Sequence, residues 1–505
     1  MKKIIYIMLL TAMVWGVTGC KKFLDVNENP NNPTEESLKD PNLLLSSSLA
    51  RIAAQTATSY ASTARWMGYW SRSGSYGPNP DEEAYRITTT FEAGEWATWL
   101  DIMFDVYKME QKSIEKGNQE FYIATAKVLK TIGYMYLVDQ YNNVPYSKAF
   151  QDIRTNLFPA YDKGQDIYND LFVQLDEALA IFQGLDGVSE ENEKFDILFG
   201  GDLDLWEEFI NTQRLKLSLR LANVSGFNAS AQMAKITAKR FLKQTASVQP
   251  GYVQDQNQQN PYWNTFKELY DGSIADNFNR ANNYILFKFA NNNDPRYMEV
   301  FSPNGGTGSN YTGFNYGEVI SNAPTAGNSA NVAGRGLAKS PGQAQWIFSS
   351  VESKFLQAEA IARGWISEPG VDAHQALVNA VRESFIWLGL TADDADVYLG
   401  QPDDENVTDY DQLLNWPASQ ADQIRFIGMH KYLALIGINN FEAWVDYRRI
   451  GVPTDLPLSM HPARVNNIIP LRLHYPQNEY NFNPTVVAAE GTIDPQSSKI
   501  FWDVN

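Results

Sequence analysis

The feature that most constrains the fold of this chain is the regular spacing of apolar residues in three long stretches, 123–141, 166–182 and 202–224. In each stretch the apolar side chains recur so that they share one face of a helix with 3.6 residues per turn. The three sets are Ala124, Val128, Ile132 and Met135; then Ile167, Leu171, Leu175, Leu179 and Phe182; and then Trp206, Ile210, Leu217 and Leu221. The sequence therefore predicts a mainly all-α fold built from packed helix pairs.

Helical spacing is lost between residues 225 and 340, where Gly, Asn, Pro and aromatic residues are abundant. Loops of this length are uncommon in a compact protein unless they have a function. Helical spacing returns afterwards, and residues 451–505 are again irregular. We expect a tetratricopeptide-like helical region over 43–224, an irregular ligand-facing lobe over 225–340, and C-terminal helices with an irregular tail over 341–505.

The only cysteine of the chain, Cys20, indicates where the protein works. It follows two lysines, a short apolar run over 4–17 and small residues, which is the pattern of a secretory signal. That run is too short to span a ~30 Å hydrocarbon core. A cysteine directly after the cut site is typical of a bacterial lipobox, although an ordinary signal peptide with a chance cysteine is an alternative. We predict a lipoprotein signal peptide over 1–19 and a lipidated tether over 20–42, with Cys20 carrying acyl chains such as palmitate. Two or more chains anchor a protein stably to a membrane.

The charge of the chain restricts its partners. The net charge is −18, and removal of residues 1–19, which contain two lysines and no acid, brings it to about −20. A surface this acidic argues against nucleic acid and bare anionic phosphate as partners. It leaves neutral sugars open, and an aromatic content of 13% is enough to supply a surface that binds them.

The sequence lacks the usual motifs of catalysis and metal binding. Its four histidines form no pair with metal-ligand spacing, and it contains no nucleophile elbow or phosphate loop. Two carboxylates could serve a glycosidase. Glu442 and Asp446 share a helix face, but with Arg448 and Arg449 beside them we interpret them as an ion-paired helix end. His430 lies in an apolar helix and is interpreted as a core residue.

Aromatic side chains beside Asn, Gly and Pro are the candidate ligand contacts. A flat ring with amides nearby suits the apolar C–H face and hydroxyl rim of a sugar, and it also suits peptides. Trp66 and Trp99 lie on helical stripes and are expected in the core. The candidates for ligand binding are Trp70, Tyr76, Trp96, Trp263, Asn264, Tyr311 and Tyr316.

Six motifs, in order along nearly the whole chain, resemble the SusD/RagB family of nutrient-binding outer-membrane lipoproteins of Bacteroidetes. They are CKKFLDVNENPNNP at 20–33, GGDLDLWEEFINTQRLKLSLRLANV at 200–224, NDPRY at 293–297, ESKFLQAEAIARGW at 352–365, NNFEAWVDYRRIGVP at 439–453 and IIPLRLHYPQNEYNFNP at 468–484. Within these motifs we interpret Trp206, Trp444, Arg448 and Pro476 as scaffold residues.

The resemblance implies four tetratricopeptide-like helix pairs in a right-handed superhelix, with the irregular lobe packed on it. It implies a lipid-anchored protein on the outside of the cell outer membrane that acts as a lid on a SusC-like TonB-dependent β-barrel transporter and delivers oligosaccharides to it. It implies no catalytic residue and no organic cofactor, while structural calcium occurs in some members. A peptide ligand is the nearest alternative. A surface glycoside hydrolase and an adhesive lipoprotein that binds only a partner protein are less favoured.

Overall fold

A computed structural model describes residues 40–151, 156–319, 324–400 and 415–504. Cys20, the predicted signal peptide and nearly all of the predicted tether lie outside the described residues. The predicted mainly α-helical fold is confirmed, with helices packed as in tetratricopeptide repeats and with only short strands. Within the described residues, no helix combines the length and the apolar character needed to cross a bilayer.

The N-terminal helices supply the first half of the scaffold. They are α1 (Pro41–Thr58), α2 (Ala61–Trp66), α3 (Ala93–Lys116), α4 (Glu120–Tyr141), α5 (Gly164–Gln183), α6 (Glu190–Phe195) and α7 (Leu203–Arg220). Helix α3 packs on α1 and α4, α4 packs on α5, and α5 packs on α7.

Shorter helices follow in the residues expected to form the irregular lobe. They are α8 (Ala229–Met233), α9 (Pro261–Phe266), α10 (Asn283–Asn291) and α11 (Tyr297–Val300), with 3₁₀ turns at Asn304–Gly306 and Ala326–Asn328.

The C-terminal helices complete the scaffold. They are α12 (Ser350–Ala362), α13 (Ala373–Leu388), α14 (Ala392–Leu399), α15 (Gln420–Ala434), α16 (Asn440–Ile450), α17 (Gln477–Phe482) and α18 (Pro484–Ala489). Helix α12 packs on α13, α15 and α7, which joins the two helical regions.

In the described residues, three two-stranded antiparallel sheets form, and two of them join distant parts of the chain. Strand β1 (Trp70–Arg72) pairs with β5 (Asn279–Ala281), β2 (Val144–Pro145) with β3 (Tyr161–Asp162), and β4 (Ala246–Val248) with β6 (Gln345–Phe348). In the first sheet Trp70 lies opposite Ala281, so the lobe is hydrogen-bonded to the N-terminal region.

Burial explains why the apolar stripes form helices. All four stripe residues of α4 are buried, and so is nearly every residue from Val128 to Tyr141, because α4 lies between α3 and α5. The stripes of α5 and α7 are buried in the same way, with Leu179 only partly so. Trp66 and Trp99 are 1% and 0% exposed, which confirms them as core residues.

A buried network of ion pairs joins the helices at the centre of the scaffold. Glu442 on α16 pairs with Arg220 and, at 2.9 Å, with Lys216, both on α7. On the same helix, Asp446 pairs with Arg449 at 2.9 Å, so the interpretation of an ion-paired helix end is confirmed for Asp446, whereas Glu442 pairs with α7 instead. Buried charges are tolerated only when they are paired and hydrogen-bonded, which accounts for the density of these contacts.

The tryptophans of the recognised motifs are fixed by hydrogen bonds inside the core. The Trp206 indole donates to Asp196 at 2.8 Å, and the Trp444 indole donates to the Pro470 carbonyl at 2.7 Å. Both side chains are 0% exposed. His430 is equally buried, as expected, and burial lowers its pKa to about 3, so it is neutral at physiological pH.

Candidate functional site

An open groove with aromatic walls and a volume of about 640 Å³ lies in the irregular lobe. We call it the lobe groove. It is lined by Leu286, Phe287, Phe289, Ala290, Asn293, Asp294, Pro295, Tyr297, Met298, Ser309 and Tyr311. Two of these apolar side chains are unusually exposed, Phe287 at 59% and Met298 at 36%. Exposed apolar rings in a concave surface are typical of a ligand site.

One wall of the lobe groove is helix α10 and the turn that follows it. The side chain of Asn282 accepts a hydrogen bond from the Tyr284 amide at 2.9 Å and so caps the start of α10. Ile285 and Phe289 face the core from one side of this helix. Phe287 therefore projects from the opposite side, into the lobe groove.

The NDPRY motif builds the floor of the groove. The Asp294 amide donates to the Phe289 carbonyl at 2.9 Å, which turns the chain back after α10. The Arg296 guanidinium is completely buried, where it pairs with the Asp294 carboxylate at 2.5 Å and donates to the Ser384 hydroxyl at 2.8 Å. Because Arg296 is anchored beneath the turn, the next residue, Tyr297, lines the groove above it.

The opposite wall is an extended segment that carries Tyr311. The Thr312 amide donates to the Asn304 side chain at 2.9 Å, and the Thr312 carbonyl accepts from the Ala330 amide at 2.8 Å. These bonds fix the position of Tyr311, whose ring meets that of Tyr297 edge to face with centroids 4.8 Å apart and planes at 82°. Such a pair is itself favourable and holds both rings in place.

The lobe groove carries little free charge. Asp294 is the one ionisable acid or base among its described lining residues other than the two phenols, and Arg296 neutralises it. Burial raises the pKa of the Tyr311 hydroxyl, with a further contribution from Tyr297, so this phenol is a neutral donor at physiological pH. Neither the Tyr297 nor the Tyr311 hydroxyl hydrogen-bonds to another described residue. The groove therefore offers apolar faces and uncharged polar groups.

Three of the predicted ligand residues are buried instead of surface-exposed. Trp70, Trp96 and Tyr316 are 1%, 4% and 4% exposed. The Trp96 ring packs edge to face on Tyr141 and Tyr475, with centroid distances of 4.9 and 5.7 Å. In this structure these rings present no face to a ligand, because residues distant in the sequence cover them.

The burial of Trp70 and Tyr316 has equally specific causes. The Trp70 ring packs edge to face on Phe266 with centroids 5.2 Å apart, while its backbone pairs with β5. The Tyr316 hydroxyl donates to the Glu82 carbonyl at 3.1 Å. Both side chains therefore fasten the lobe to the N-terminal region.

The other predicted residues are partly or well exposed but do not gather in one place. Tyr76 is 43% exposed and packs edge to face on Phe278, while Trp263 and Asn264 are half-buried on α9. None of these three lines the lobe groove. Tyr311 does, and it is the one predicted ligand residue that remains in the candidate site.

Phe287, Tyr297 and Met298 line the groove but were not predicted from the sequence. A signal for Phe287 was present, because Ile285 and Phe289 lie four residues apart and put Phe287 on the far side of a helix. Tyr297 belongs to the recognised NDPRY motif, but only the buried pairing of Arg296 with Asp294 shows which way its ring lies.

No group of three or more His, Cys, Asp or Glu side chains among the described residues could hold a metal ion. The structure therefore gives no support to a metal site built from such side chains in the described part of the chain.

Comparisons with known proteins agree with this architecture. Residues 30–476 match the SusD-like family, whose description is starch-binding and associating with the outer membrane. Proteins of this family bind their substrates and are not enzymes, as the sequence predicted. No curated protein matches the chain significantly.

Solved structures share the fold at low sequence identity. A chitin-binding SusD homologue from Flavobacterium johnsoniae has a TM-score of 0.75 at 20% identity, over 91% of this chain and 99% of that one. A SusD homologue from Bacteroides fragilis has a TM-score of 0.72 at 21% identity, over 92% and 99%. A SusD-like protein from Bacteroides thetaiotaomicron has a TM-score of 0.71 at 19% identity, over 91% and 99%. With the family match covering most of the sequence, the chain belongs to the SusD-like family of nutrient-binding proteins associated with the outer membrane.

Proposed function

We propose that this protein is a lipid-anchored subunit of a nutrient importer that binds uncharged oligosaccharides in the lobe groove. The subunit sits on the outside of the outer membrane as a lid on a SusC-like TonB-dependent β-barrel transporter. It passes the bound oligosaccharide to that transporter. It needs no catalytic residue, because capture and release of the ligand are the whole of its task.

The observation that carries this proposal is the chemistry of the groove walls. Phe287, Tyr297 and Tyr311 offer ring faces and edges. The single carboxylate of the described lining, that of Asp294, is paired with Arg296. A sugar ring has an apolar C–H face that packs on aromatic rings and hydroxyls that bond to uncharged donors and acceptors. The free phenolic hydroxyls and the nearby Asn293 and Ser309 side chains supply such groups.

A peptide is the second candidate ligand, and a specific observation favours it. Leu286 and Met298 add aliphatic surface to the lobe groove, and a flexible methionine can adapt to apolar side chains of different shapes. Because the groove lacks free charge, a peptide that binds there would present uncharged side chains. The chitin-binding relative makes a saccharide the better first choice.

A panel titration tests the ligand class. Detergent-purified protein is titrated calorimetrically with neutral oligosaccharides, namely α-glucans, β-glucans and chitooligosaccharides, and in parallel with short peptides of uncharged apolar residues. We expect saturable binding of at least one oligosaccharide series. Binding of the peptides alone would replace the saccharide assignment, and binding of neither would refute the proposed role of the groove.

Substitutions in the groove locate the binding. Removal of a ring face that buries about 50 Å² against the ligand lowers the binding free energy by about 1.2 kcal/mol. Any stacking attraction between the ring and the sugar adds to this loss. Tyr311→Ala and Tyr297→Ala should therefore each weaken binding about tenfold. Tyr270→Ala is the matched control, because Tyr270 is an exposed tyrosine of the same lobe at 45% and does not line the groove. Equal affinity of Tyr311→Ala and wild type would place the ligand elsewhere.

Co-purification tests the partner. The native protein is pulled down from detergent-solubilised membranes, and its partners are identified by mass spectrometry. A stoichiometric TonB-dependent β-barrel is the expected result. Its absence at every detergent strength would contradict the lid proposal and leave a stand-alone surface binder.

A further inference from the structure

A second cavity, whose lining differs chemically from that of the lobe groove, lies in the helical region. We call it the helical cavity. It has a volume of about 520 Å³ and is enclosed by helices α3, α4 and α5 and by residues 146–151. It shares no lining residue with the lobe groove. Unlike that groove, it is lined by several ionisable side chains.

The positively charged side chains that line the helical cavity already form ion pairs. Lys127 pairs with Glu110 at 3.1 Å and with Glu177 at 2.6 Å, and Lys130 pairs with Glu110 at 2.8 Å. Although burial opposes it, these lysines hold the pKa of Glu110 below its usual value, so the carboxylate stays ionised. Among the described lining residues, no unpaired lysine or arginine is therefore left to bind an anionic ligand.

The negative charges of the helical cavity are in excess. Asp162, Asp166 and Asp170 also line it, and no lysine or arginine of the described residues pairs with any of them. Asp170 accepts hydrogen bonds from the Tyr146 hydroxyl and from Gln174. Asp162 accepts from the backbone and hydroxyl of Ser147 at 2.8 and 2.7 Å. These bonds orient the carboxylates but do not neutralise them.

A buried phenol provides a second and independent sign of a ligand. Tyr134 lines the helical cavity and is 3% exposed, yet its hydroxyl makes no hydrogen bond to any described residue. Its ring meets that of Tyr146 edge to face with centroids 4.5 Å apart. Because the side chain is buried and its hydroxyl has no partner among the described residues, a group that enters the cavity can bond to it.

We propose that the helical cavity binds the primary ammonium group of a ligand. An ammonium group carries a positive charge and three hydrogen-bond donors, which suit a wall with unpaired carboxylates and a phenol, while aromatic rings on the wall can also attract a cation. The three aspartates do not form a cluster that could hold a metal ion, so an organic cation is the better occupant. The ammonium can come from an amino sugar or from a lysyl side chain of a peptide. This site is separate from the lobe groove, which suits uncharged ligands.

Two matched pairs of probes test the chemistry and separate its sources. Glucosamine and glucose differ by one ammonium group, and so do Nα-acetyl-lysine methylamide and Nα-acetyl-norleucine methylamide. Ligand-observed saturation-transfer NMR on the full-length protein in detergent measures their binding. We expect at least one ammonium probe to bind saturably and its neutral partner to bind at least tenfold more weakly. A difference between glucosamine and glucose identifies an amino sugar as the source of the ammonium group. A difference between the lysine and norleucine derivatives identifies a lysyl side chain.

Substitutions decide whether the binding is in the helical cavity. Asp170→Asn keeps an acceptor for the Tyr146 hydroxyl but removes the charge, and loss of one charged hydrogen bond weakens binding about tenfold or more. Asp166→Asn, at an exposed position, makes the same test with less risk to folding. Asp186→Asn, an exposed carboxylate outside the cavity, should bind like wild type.

The Tyr311→Ala variant separates this site from the lobe groove, because it should bind oligosaccharide about tenfold more weakly and bind the ammonium probe like wild type. Equal binding of the charged and neutral probes, no binding of either ammonium probe, or unchanged affinity in both aspartate variants would each overturn the proposal.

Discussion

The buried carboxyl of Glu95 makes the stability of this protein depend on pH in a way that one substitution should remove. Glu95 lies in the first turn of α3, is 8% exposed, and accepts a hydrogen bond from the Gln55 side chain. Burial, with a smaller contribution from Glu92, raises its pKa from 4.5 to about 9. The carboxyl is therefore protonated in the folded protein at neutral pH.

The sign of the effect follows from proton linkage. Below pH 4.5 the carboxyl is protonated in both the folded and the unfolded chain, so it causes no pH dependence. Between pH 4.5 and about 9 it ionises only in the unfolded chain, and the folded state loses about 1.4 kcal/mol of relative stability per pH unit. At pH 7 the loss is about 3 kcal/mol, and above the folded pKa it stays constant.

Hydrogen bonds from Ser59 and Gln55 and the N-terminus of α3 oppose the raised pKa of Glu95, but they do not reverse it. A negative charge near the N-terminus of a helix is stabilised by about 0.3–1 kcal/mol, which is less than one pKa unit. The burial of Glu95 moves its pKa by several units. The direction of the prediction is therefore unchanged.

Replacement Glu95→Gln should abolish the penalty, since glutamine is neutral at every pH and its carbonyl can still accept from Gln55. Urea unfolding at pH 5 and pH 8, followed by circular dichroism, measures the effect. The variant should exceed wild type in free energy of unfolding by about 1 kcal/mol or less at pH 5 and by about 3 kcal/mol or more at pH 8. Glu115→Gln, at an exposed position of the same helix, should change it by about 0.5 kcal/mol or less at both values. An equal difference at the two pH values for Glu95→Gln would show that ionisation of Glu95 does not cause the pH dependence.

Three further outcomes are expected. Although burial opposes it, Arg449 holds the pKa of Glu359 at about 2, so the stability that this carboxylate contributes is present above pH 4.5 and is lost as the pH falls toward 2. In denaturant unfolding, Glu359→Gln should lower the free energy of unfolding by about 3–5 kcal/mol at pH 7 and by much less at pH 3, and equal losses at the two pH values would contradict this. Gly334→Ala should destabilise the lobe by about 1–3 kcal/mol, because its new methyl group would overlap the backbone of residues 299–301, whereas Gly327→Ala meets open space and should leave the melting temperature unchanged. Cys20→Ala should move the protein from the membrane fraction to the soluble fraction, and retention in washed membranes would show that protein contacts suffice.

The helices could be predicted from the sequence because their signal is local. The stripe that begins at Ala124 needs only the 3.6-residue period, and the structure buries every member of it on α4. Trp99 could be placed in the core for the same reason. The pairing of Asp446 with Arg449 was readable from their separation of three residues on one helix.

The position of the candidate site could not be predicted in full because its contacts join distant parts of the chain. Trp96 stands at the start of a helix, where an aromatic ring could face either solvent or core. Its burial is decided by Tyr475, a residue of the C-terminal tail. Tyr311 could be named as a loop aromatic, but its partner Tyr297 is set by the buried bond between Arg296 and Asp294. Local composition identifies aromatic loops, whereas tertiary packing decides which rings remain accessible.

The most direct test of the proposed function is a crystal structure of the protein with the oligosaccharide that binds best in the panel. We expect a sugar ring in the lobe groove, with its C–H face against Tyr311 or Tyr297 and its hydroxyls near Asn293 and Ser309. An oligosaccharide bound at another surface, with the lobe groove free of it, would contradict the proposed function.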